Sequence, residues 1–520
     1  MQLLALKNIF INYPTDIFTF KIILLKPKAM SSFKRRDFIK NTLMAGIGAS
    51  MVNNLDEQKS SIGQRLNNPG ENLLNKPEKV KKVIVAGAGI GGLCCGYELM
   101  KKGHEVIVVE ASGRHGGHVY TAHDGLSDGL YGDYGQEHIT KPGYDRYWEY
   151  IHEFAIEALP YPRRKGLVRR IGGKFYTEEM LADPLVLKNL GFNENEVNYL
   201  SKHPWTNLEL LYKGPYLDKF TDEYQPFNIG YDDLDKITMS ALYKKNGASK
   251  TAMDFMGGED VSALASLWGA AILKLRGVPL FPTELFRLKG GNQMLPNAFA
   301  KRLGDRVKLD TKVMSIRQGD SGVTVTCKHH NILQEISADY FVNCIPLPAF
   351  RNIPVEPAMP AERQYIFENL TYDSYQRFVF QASSKFWLED GVSINMNLGH
   401  PDLWDVWQSA EEVDTHRVII LGTGPGGISP QRALAAFREV YPGKKDTIEQ
   451  AVSKDWTKES YSSTCERLPF PIGELHKFWP LLMQPHGRIY FAGAYADNMN
   501  WGTEAATRSA NRVANKIHEV

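Results

Sequence analysis

Residues 82–117 constrain the fold of this chain more than any other stretch. They open on an apolar, β-branched run at residues 83–85, which is typical of a buried parallel strand. Glycines follow at the spacing G-x-G-x-x-G, and a helical pattern then covers residues 90–102. A second apolar run ends at Glu110. Strand, glycine-rich turn, helix and strand in this order predict a βαβ unit of a parallel sheet.

Each glycine of this turn has a physical reason to be there. Gly87 permits the tight turn after the strand, Gly89 leaves room for a pyrophosphate beside the backbone, and Gly92 lets the helix pack closely on the sheet. The free N–H groups at the start of the helix attract phosphate. Glu110 follows Gly92 by eighteen residues, where an acid accepts hydrogen bonds from a ribose. The stretch therefore predicts a dinucleotide site.

The residues that follow the second strand resemble a run of one enzyme family. Residues 110–117 read Glu-Ala-Ser-Gly-Arg-His-Gly-Gly and resemble the E-A-x-x-R-x-G-G run of the flavin amine oxidases, which include monoamine, polyamine and L-amino-acid oxidases. In that family the second glycine pair, here Gly116 and Gly117, lies along the pyrophosphate and flavin of FAD. A plain NAD enzyme has no need of this pair, so the resemblance implies FAD.

Further runs carry the same resemblance over residues 80–517. Residues 130–139 resemble the family segment that crosses the flavin, and residues 286–296 resemble its G-G-x-x-x-L run. Residues 488–494 resemble its R-I-Y-F-A-G-E run, and the strand at Val313 corresponds to one beside the adenine. Together with the glycine turns, these runs imply FAD contacts at Ile90, Gly91, Ala111, Arg114, Gly116, Gly117, His118, Gln136, Glu137, His138, Val313, Gly493, Ala494, Glu504 and Ala505.

The order of elements predicts an α/β fold, and the length of 520 residues allows two or three domains. The resemblance implies a Rossmann-like FAD-binding domain built from discontinuous segments, and a second, substrate domain that combines a mixed sheet with helices. The predicted FAD-binding segments are residues 79–150, 286–360 and 456–520, and the predicted substrate segments are residues 151–285 and 361–455.

The residues expected around the substrate depart from the family pattern. His138 stands where L-amino-acid oxidases place an Arg for the substrate carboxylate, and Arg377 stands where amine oxidases place a Lys near the flavin. His118 and His138 are either acid/base groups or polar neighbours of the flavin. Arg377 is either a cation for the flavin or a carboxylate, or a strand residue that faces solvent. Trp456 and Trp501 are candidates for the flavin face, and each is equally consistent with a core position.

Residues 461–465, Tyr-Ser-Ser-Thr-Cys, resemble the Y-S-x-x-C run of the monoamine oxidases, in which the Cys sulfur is bonded to the flavin. The distance in sequence from Cys465 to the F-A-G turn supports this assignment. Against it, Glu466 stands where that family has an aromatic residue. A covalent bond from Cys465 to FAD and a simple packed thiol both stay open.

Composition excludes several other classes of protein. The formal net charge of +2 is too small to indicate a nucleic-acid partner. The five cysteines are odd in number and show no zinc-like spacing, so neither a metal site nor a disulfide framework is predicted. The oligomeric state is not indicated by any pattern in the sequence.

The N-terminal region resembles an export signal. Residues 32–40 read Ser-Phe-Lys-Arg-Arg-Asp-Phe-Ile-Lys and resemble the twin-arginine signal, whose pair corresponds to Arg35 and Arg36. The apolar run that follows, within residues 42–52, is too short and too rich in glycine to span a membrane. The signal implies the twin-arginine export machinery as a partner and a periplasmic or extracellular location. Residues 1–52 are therefore interpreted as an extension plus signal, and residues 53–78 as a linker.

The resemblance implies an exported FAD-dependent oxidoreductase that acts on a small molecule. Its reaction would oxidise the C–N bond of an amine or amino acid, and O2 or another acceptor would reoxidise the flavin. One alternative is a flavin desaturase or isomerase of an apolar polyene or isoprenoid, which the missing Arg and Lys favour. The other is a flavin-binding module without turnover.

Overall fold

Residues 79–257, 260–409, 411–463, 470–499 and 501–520 are described in the computed structural model of this protein. The twin-arginine pair, the linker and Cys465 lie outside the described residues. The helices of the described part are Ile90–Lys101, Asp145–Glu153, Pro184–Leu190, Glu194–Leu200, Leu208–Leu217, Met239–Lys245, Lys250–Met256, Ala263–Leu275, Met294–Leu303, Leu347–Phe350, Ala361–Asn369, Phe386–Asp390, Pro430–Val440, Leu475–Phe478 and Gly502–Glu519.

A five-stranded parallel sheet contains the predicted βαβ unit. Its strands, in spatial order, are Val307–Lys308, Glu105–Val109, Lys82–Ala86, Tyr340–Asn343 and Ile489–Phe491. The strands come from all three segments predicted for FAD binding. The apolar runs at residues 83–85 and 106–109 are buried except for the half-buried Ile107, as the β-branched pattern predicts for a sheet covered on both faces.

A seven-stranded mixed sheet is formed by the segments predicted for the substrate domain. Its strands, in spatial order, are Ile448–Asp455, Gln376–Ala382, Val418–Gly424, Leu403–Ser409, Met396–His400, Val168–Ile171 and Lys174–Tyr176. Both predicted substrate segments contribute strands, and the predicted α/β fold is confirmed. The domain boundaries themselves stay predictions.

Three smaller sheets complete the β-structure of the described residues. Their strands are Ile332–Ala338, Gly322–His329, Thr311–Gly319 and Val355–Glu356; Thr121–Ala122 and Gly132–Asp133; and Ile139–Thr140, Leu285–Leu288 and Ala158–Pro160. Helix Ala263–Leu275 packs in the largest apolar core. In the part of the chain that the structure describes, none of the helices has the length and apolar character needed to cross a bilayer.

A pair of histidines ties the C-terminal helix to the start of the parallel sheet. His104 is buried, and its Nε2 lies 3.2 Å from Nδ1 of His518. The backbone N–H of Lys81 donates to Nδ1 of His104 at 3.3 Å. Burial lowers the pKa of His104 to about 4, and the neighbouring His518 and Lys81 act in the same direction.

This pair predicts a loss of stability in mild acid. The unfolded chain takes up the proton at the ordinary pKa of 6.5, whereas folded His104 resists it down to about pH 4. The stabilisation is therefore present above pH 6.5 and is lost as the pH falls from 6.5 to 4; solvent screening reduces this loss to about 2 kcal/mol. Urea unfolding at several pH values should show a weaker pH dependence in His104→Gln. The exposed control His416→Gln should keep the dependence of the unmutated protein, and equal curves for both variants would contradict the assignment.

Candidate active site

A cavity of about 700 Å³ lies where the glycine turns, the C-terminal helix and the seven-stranded sheet meet. Most of the residues predicted to contact FAD line it, although they come from distant parts of the sequence. The predicted contacts in its wall are Gly87, Gly89, Ile90, Gly91, Glu110, Ala111, Arg114, Gly116, Gly117, His118, Gln136, Glu137, His138, Val313, Gly493 and Ala494.

The two glycine turns lie against each other in the wall of this cavity. The N–H of Gly116 donates to the carbonyl of Ala88 at 2.8 Å, and Gly89 and Gly116 form a parallel bridge. A Cβ built on Gly117 would lie 3.1 Å from the Cα of Gly89. Within 4 Å, a Cβ built on Gly89 would meet only one atom, the Cα of Gly117 at 3.9 Å. Position 89 is therefore open toward the cavity, which leaves the space that a pyrophosphate needs.

Two helices begin at the cavity wall without a side-chain N-cap. Helix Ile90–Lys101 starts after Gly89, and helix Gly502–Glu519 starts after Trp501, and neither N-cap side chain accepts a hydrogen bond. The first N–H groups of a helix have no partner within the helix, and the helix dipole attracts negative charge there. This arrangement fits the diphosphate of FAD.

Glu110 directly follows the second strand of the parallel sheet, at the position that the motif predicts. Its carboxylate accepts hydrogen bonds from the N–H of Ala88 at 2.7 Å and from the N–H of Ser112 at 2.9 Å. These bonds hold the carboxylate at the cavity wall and leave lone pairs for further donors. The residues present therefore fit a ribose at this end of the cavity.

His118 lines the cavity and is neutral at pH 7, so it is not a general acid there. Its Nε2 lies 2.6 Å from the carbonyl oxygen of Ser462, and its ring stacks on Trp456 at 4.1 Å between centroids. Burial, aided by the positive charge of Arg114, lowers the pKa of His118 to about 4 although the Ser462 carbonyl opposes this. The geometry favours the polar-neighbour interpretation over acid/base chemistry. Trp456 is fully buried behind His118, outside the cavity lining.

A charged group lies in the part of the cavity away from the glycine turns. Glu137 forms an ion pair with Arg163, and Nδ1 of His138 lies 2.6 Å from the same carboxylate. Burial alone would raise the pKa of Glu137, but Arg163 and His138 outweigh it and hold that pKa below its ordinary value. Burial lowers the pKa of His138 although Glu137 raises it. His138 is therefore neutral at pH 7, and Glu137 is ionised.

Arg377 is a buried cation that lines the same cavity. Arg377 is only 3% exposed, so the interpretation that its side chain faces solvent is wrong. Its Nη2 donates to the carbonyl of Gly135 and to the hydroxyl of Tyr375, both at 3.3 Å, and its guanidinium lies 4.8 Å from the ring of Trp407. Among the described residues, its Nε and Nη1 have no hydrogen-bond partner and no carboxylate lies within 4 Å of it. A buried guanidinium with unused donors is suited to an anionic group of a ligand.

Two predicted contacts on the C-terminal helix lie outside the cavity lining. Glu504 accepts the N–H groups of Arg146 at 3.1 Å and Tyr147 at 2.9 Å, so it caps helix Asp145–Glu153. Ala505 is also buried and lies outside the cavity lining. The helical period turns Thr503 and Ala506 toward the cavity instead, and these two line it.

Trp501 and Gly92 are also outside the cavity lining. The ring of Trp501 packs on Tyr144 at 5.5 Å between centroids, so the assignment of Trp501 to the flavin face is corrected to a packing role. A Cβ on Gly92 would lie 1.8 Å from the carbonyl oxygen of Gly87. Gly92 therefore serves the close packing of the helix on the turn, and it does not contact the cavity.

Several cavity residues carry no motif that sequence reasoning can detect. Arg163 lies in a short 3₁₀ turn, and Tyr375, Thr423 and Asp405 lie on or beside strands of the seven-stranded sheet. The alternation of residues predicts these strands, but only their pairing decides which side chains face the cavity.

The chain is similar to known flavin oxidases over most of its length. The family model of flavin-containing amine oxidoreductases matches residues 90–518. The L-amino-acid oxidase of Vipera ammodytes ammodytes is 24% identical over 480 residues, which cover 86% of this chain and 94% of the relative. The L-amino-acid oxidase of Pseudechis australis is 25% identical over 488 residues, which cover 86% of this chain and 89% of the relative.

Two solved structures share the fold. Cyclohexylamine oxidase from Brevibacterium oxydans matches with a TM-score of 0.70 and 22% identity, over 85% of this chain and 99% of that chain. Putrescine oxidase bound to putrescine matches with a TM-score of 0.71 and 18% identity, over 85% of this chain and 100% of that chain. Because the family model spans most of the sequence and the cavity fits FAD, this protein belongs to the flavin-containing amine oxidoreductases and is an FAD-dependent enzyme of the amine oxidase type.

Proposed function

We propose that this enzyme oxidises the C–N bond of an amine or amino acid by hydride transfer to flavin, and that amino acids are its better substrates. The observation that carries the proposal is the buried guanidinium of Arg377 in the cavity wall, with two donors unused by any described residue. A substrate carboxylate satisfies both the charge and the donors, since an Arg fork binds carboxylate in a bidentate manner. The L-amino-acid oxidases among the relatives support the same substrate class.

The residues of this chain have separate tasks in that reaction. FAD, held by the glycine turns and Glu110, would supply the hydride acceptor for the substrate carbon and the route of the electrons to O2 or another acceptor. Arg377 binds the carboxylate and fixes the substrate carbon in the cavity. His138 donates from Nδ1 to Glu137, so its Nε2 keeps a lone pair that accepts a hydrogen bond from the substrate amino group and orients it. Arg163 neutralises Glu137, which keeps the local charge suited to an anionic ligand.

An apolar polyene or isoprenoid fits this cavity less well. Such a ligand would cover the buried Arg377 without offering an acceptor to its free donors, which costs free energy. A panel of amino acids, simple amines and polyenes with hydrogen peroxide as the readout tests the proposal. We expect peroxide with amino acids. No turnover of any amine or amino acid, with flavin reduction by a polyene, would establish the alternative.

Export is the second part of the proposal, because Arg35 and Arg36 stand in a twin-arginine context. Replacing both residues by Lys keeps the charge but removes the recognised pair, so we expect the protein to stay in the cytoplasm. Cell fractionation with activity staining measures the distribution. A matched control replaces Lys34 and Lys40 by Arg, and it should be exported normally. Undiminished export of the variant in which Arg35 and Arg36 are replaced by Lys would show that this motif is not the signal.

A covalent bond between Cys465 and FAD is the third part. Residues 459–462 line the cavity, and Cys465 follows them by three positions in the sequence. We expect acid precipitation to leave flavin in the protein pellet, and the variant Cys465→Ala to release it. Cys327, a buried thiol outside the cavity lining, provides the matched control Cys327→Ala, which should retain the flavin. If all the flavin of the unmutated protein is found in the supernatant, the covalent bond between Cys465 and FAD is contradicted.

A further inference from the structure

A row of polar side chains crosses the seven-stranded sheet at the cavity. Arg377 lies directly opposite Thr423, and Thr423 lies directly opposite Asp405 on the next strand. Opposed residues of antiparallel strands project from the same face, and all three line the cavity. Neighbouring strands are about 4.8 Å apart, so the backbones of Arg377 and Asp405 are separated by about 10 Å.

The other acidic residues of the cavity wall already have partners. Glu110 is held by backbone N–H groups at the glycine turn. Glu137 is paired with Arg163, and Glu459 is paired with Lys454. These three carboxylates are therefore not available to a cationic ligand.

Asp405 differs from them because it forms no ion pair among the described residues, although the positive charge of Arg169 acts on it from a greater distance. Its carboxylate accepts a hydrogen bond from Nδ2 of Asn397 at 2.9 Å and a longer one from Oγ1 of Thr423 at 3.4 Å. In the described ranges of the chain, no nitrogen of Lys, Arg or His lies within 4 Å of its oxygens. Arg169 occupies the same row, but its Nη2 donates to the carbonyl of Phe255 and its guanidinium covers that ring at 3.7 Å.

The cavity thus presents, on one sheet face, two charges of opposite sign that form no ion pair within 4 Å among the described residues; Glu137 and Arg169 act on them only from a greater distance. We propose that the substrate is an amino acid whose side chain ends in an ammonium or guanidinium group. Arg377 binds the α-carboxylate, and Asp405 binds the side-chain cation, with the Thr423 hydroxyl between them. This inference rests on the proposed function, because it assigns the reaction to the α-carbon between these two anchors. The extended side chain of a basic amino acid bridges the space between the side chains of Arg377 and Asp405.

The test compares L-lysine with L-norleucine, which has the same carbon chain without the terminal amine. We expect kcat/KM to favour lysine by about tenfold or more, since a hydrogen bond to a charged group is worth that factor. In Asp405→Asn the kcat/KM values for the two substrates should agree within a few-fold. Asp414→Asn removes the same charge at an exposed position outside the cavity lining, and it should keep the preference.

A binding measurement separates recognition from catalysis and from misfolding. Calorimetry with the flavin-loaded protein compares ε-aminocaproate with caproate, which differ only in the ammonium. The unmutated protein should bind ε-aminocaproate more tightly, and Asp405→Asn should bind both ligands as weakly as caproate. Unchanged caproate affinity in the variant shows that its Arg377 site is intact.

The possible failures are distinguishable from one another. Equal turnover of lysine and norleucine by the unmutated protein would overturn this inference and leave the proposed function in place. Faster turnover of the diamine cadaverine than of lysine would overturn the role of Arg377 as the carboxylate anchor. No turnover of any amino acid would overturn the proposed function itself.

Discussion

Gly89→Val is expected to abolish FAD binding in an otherwise folded protein. The Cβ position of residue 89 is open to the cavity, next to the Cα of Gly117 at 3.9 Å. The two additional methyl groups of Val would occupy the space at the start of helix Ile90–Lys101, where the diphosphate has to approach the N–H groups. We expect the affinity for FAD to fall at least about a hundredfold, which corresponds to about 2.7 kcal/mol.

The measurement is the flavin content of the purified protein, followed by titration of the apoprotein with FAD. Gly269→Val is the matched control, because Gly269 lies on the exposed side of helix Ala263–Leu275 with no atom within 4 Å of its Cβ position. It should retain full flavin content. Full flavin content in Gly89→Val would show that the phosphates of the cofactor lie elsewhere.

Arg377→Ala is expected to raise KM for amino acids far more than KM for simple amines. Removing this guanidinium leaves a bound carboxylate without its charge partner in a buried site, which costs about 2 kcal/mol or more and raises KM about 30-fold or more. A simple amine has no carboxylate, so its KM should change only a few-fold. Steady-state kinetics with L-leucine and with isoamylamine, which lacks only the carboxylate, measure the difference directly.

The comparison within one variant also controls for structural damage. A general loosening of the cavity would affect both substrates alike, because they share the same carbon skeleton apart from the carboxylate. Arg377→Lys keeps the charge but not the planar fork. Its KM for amino acids should therefore lie between the values of the unmutated protein and of Arg377→Ala. Equal increases in KM for both substrates in Arg377→Ala would remove Arg377 from carboxylate recognition.

The cofactor end of the cavity was predictable because its contacts are local in the sequence. The turn that contains Gly87 and Gly89, the strand that ends at Glu110 and the second glycine pair form one continuous βαβ unit. Local propensity and spacing determine such a unit, and the structure places these residues in the cavity wall as the pattern predicts. Gly493 and Ala494 could be added because they follow a strand with its own recognisable run.

The substrate end was less predictable because long-range pairing decides it. Asp405 and Thr423 lie on neighbouring strands of the seven-stranded sheet, and their common face depends on the register between these separate strands. A shift of one residue would turn both side chains away from the cavity. Glu504 is a similar case, because only the packing of helix Gly502–Glu519 in the fold decides that Thr503 and Ala506, and not Glu504, face the cavity.

The most direct measurement of the central claim is an anaerobic reduction of the enzyme-bound flavin. The purified protein is mixed with an amino acid in the absence of oxygen, and the flavin absorbance is followed with time. We expect the absorbance to bleach with amino acids, and L-lysine to bleach it faster than L-norleucine. Admission of air should restore the absorbance if O2 is the acceptor. A flavin that stays oxidised with every amino acid and amine, yet is bleached by dithionite, would contradict oxidation of a C–N bond as the function of this enzyme.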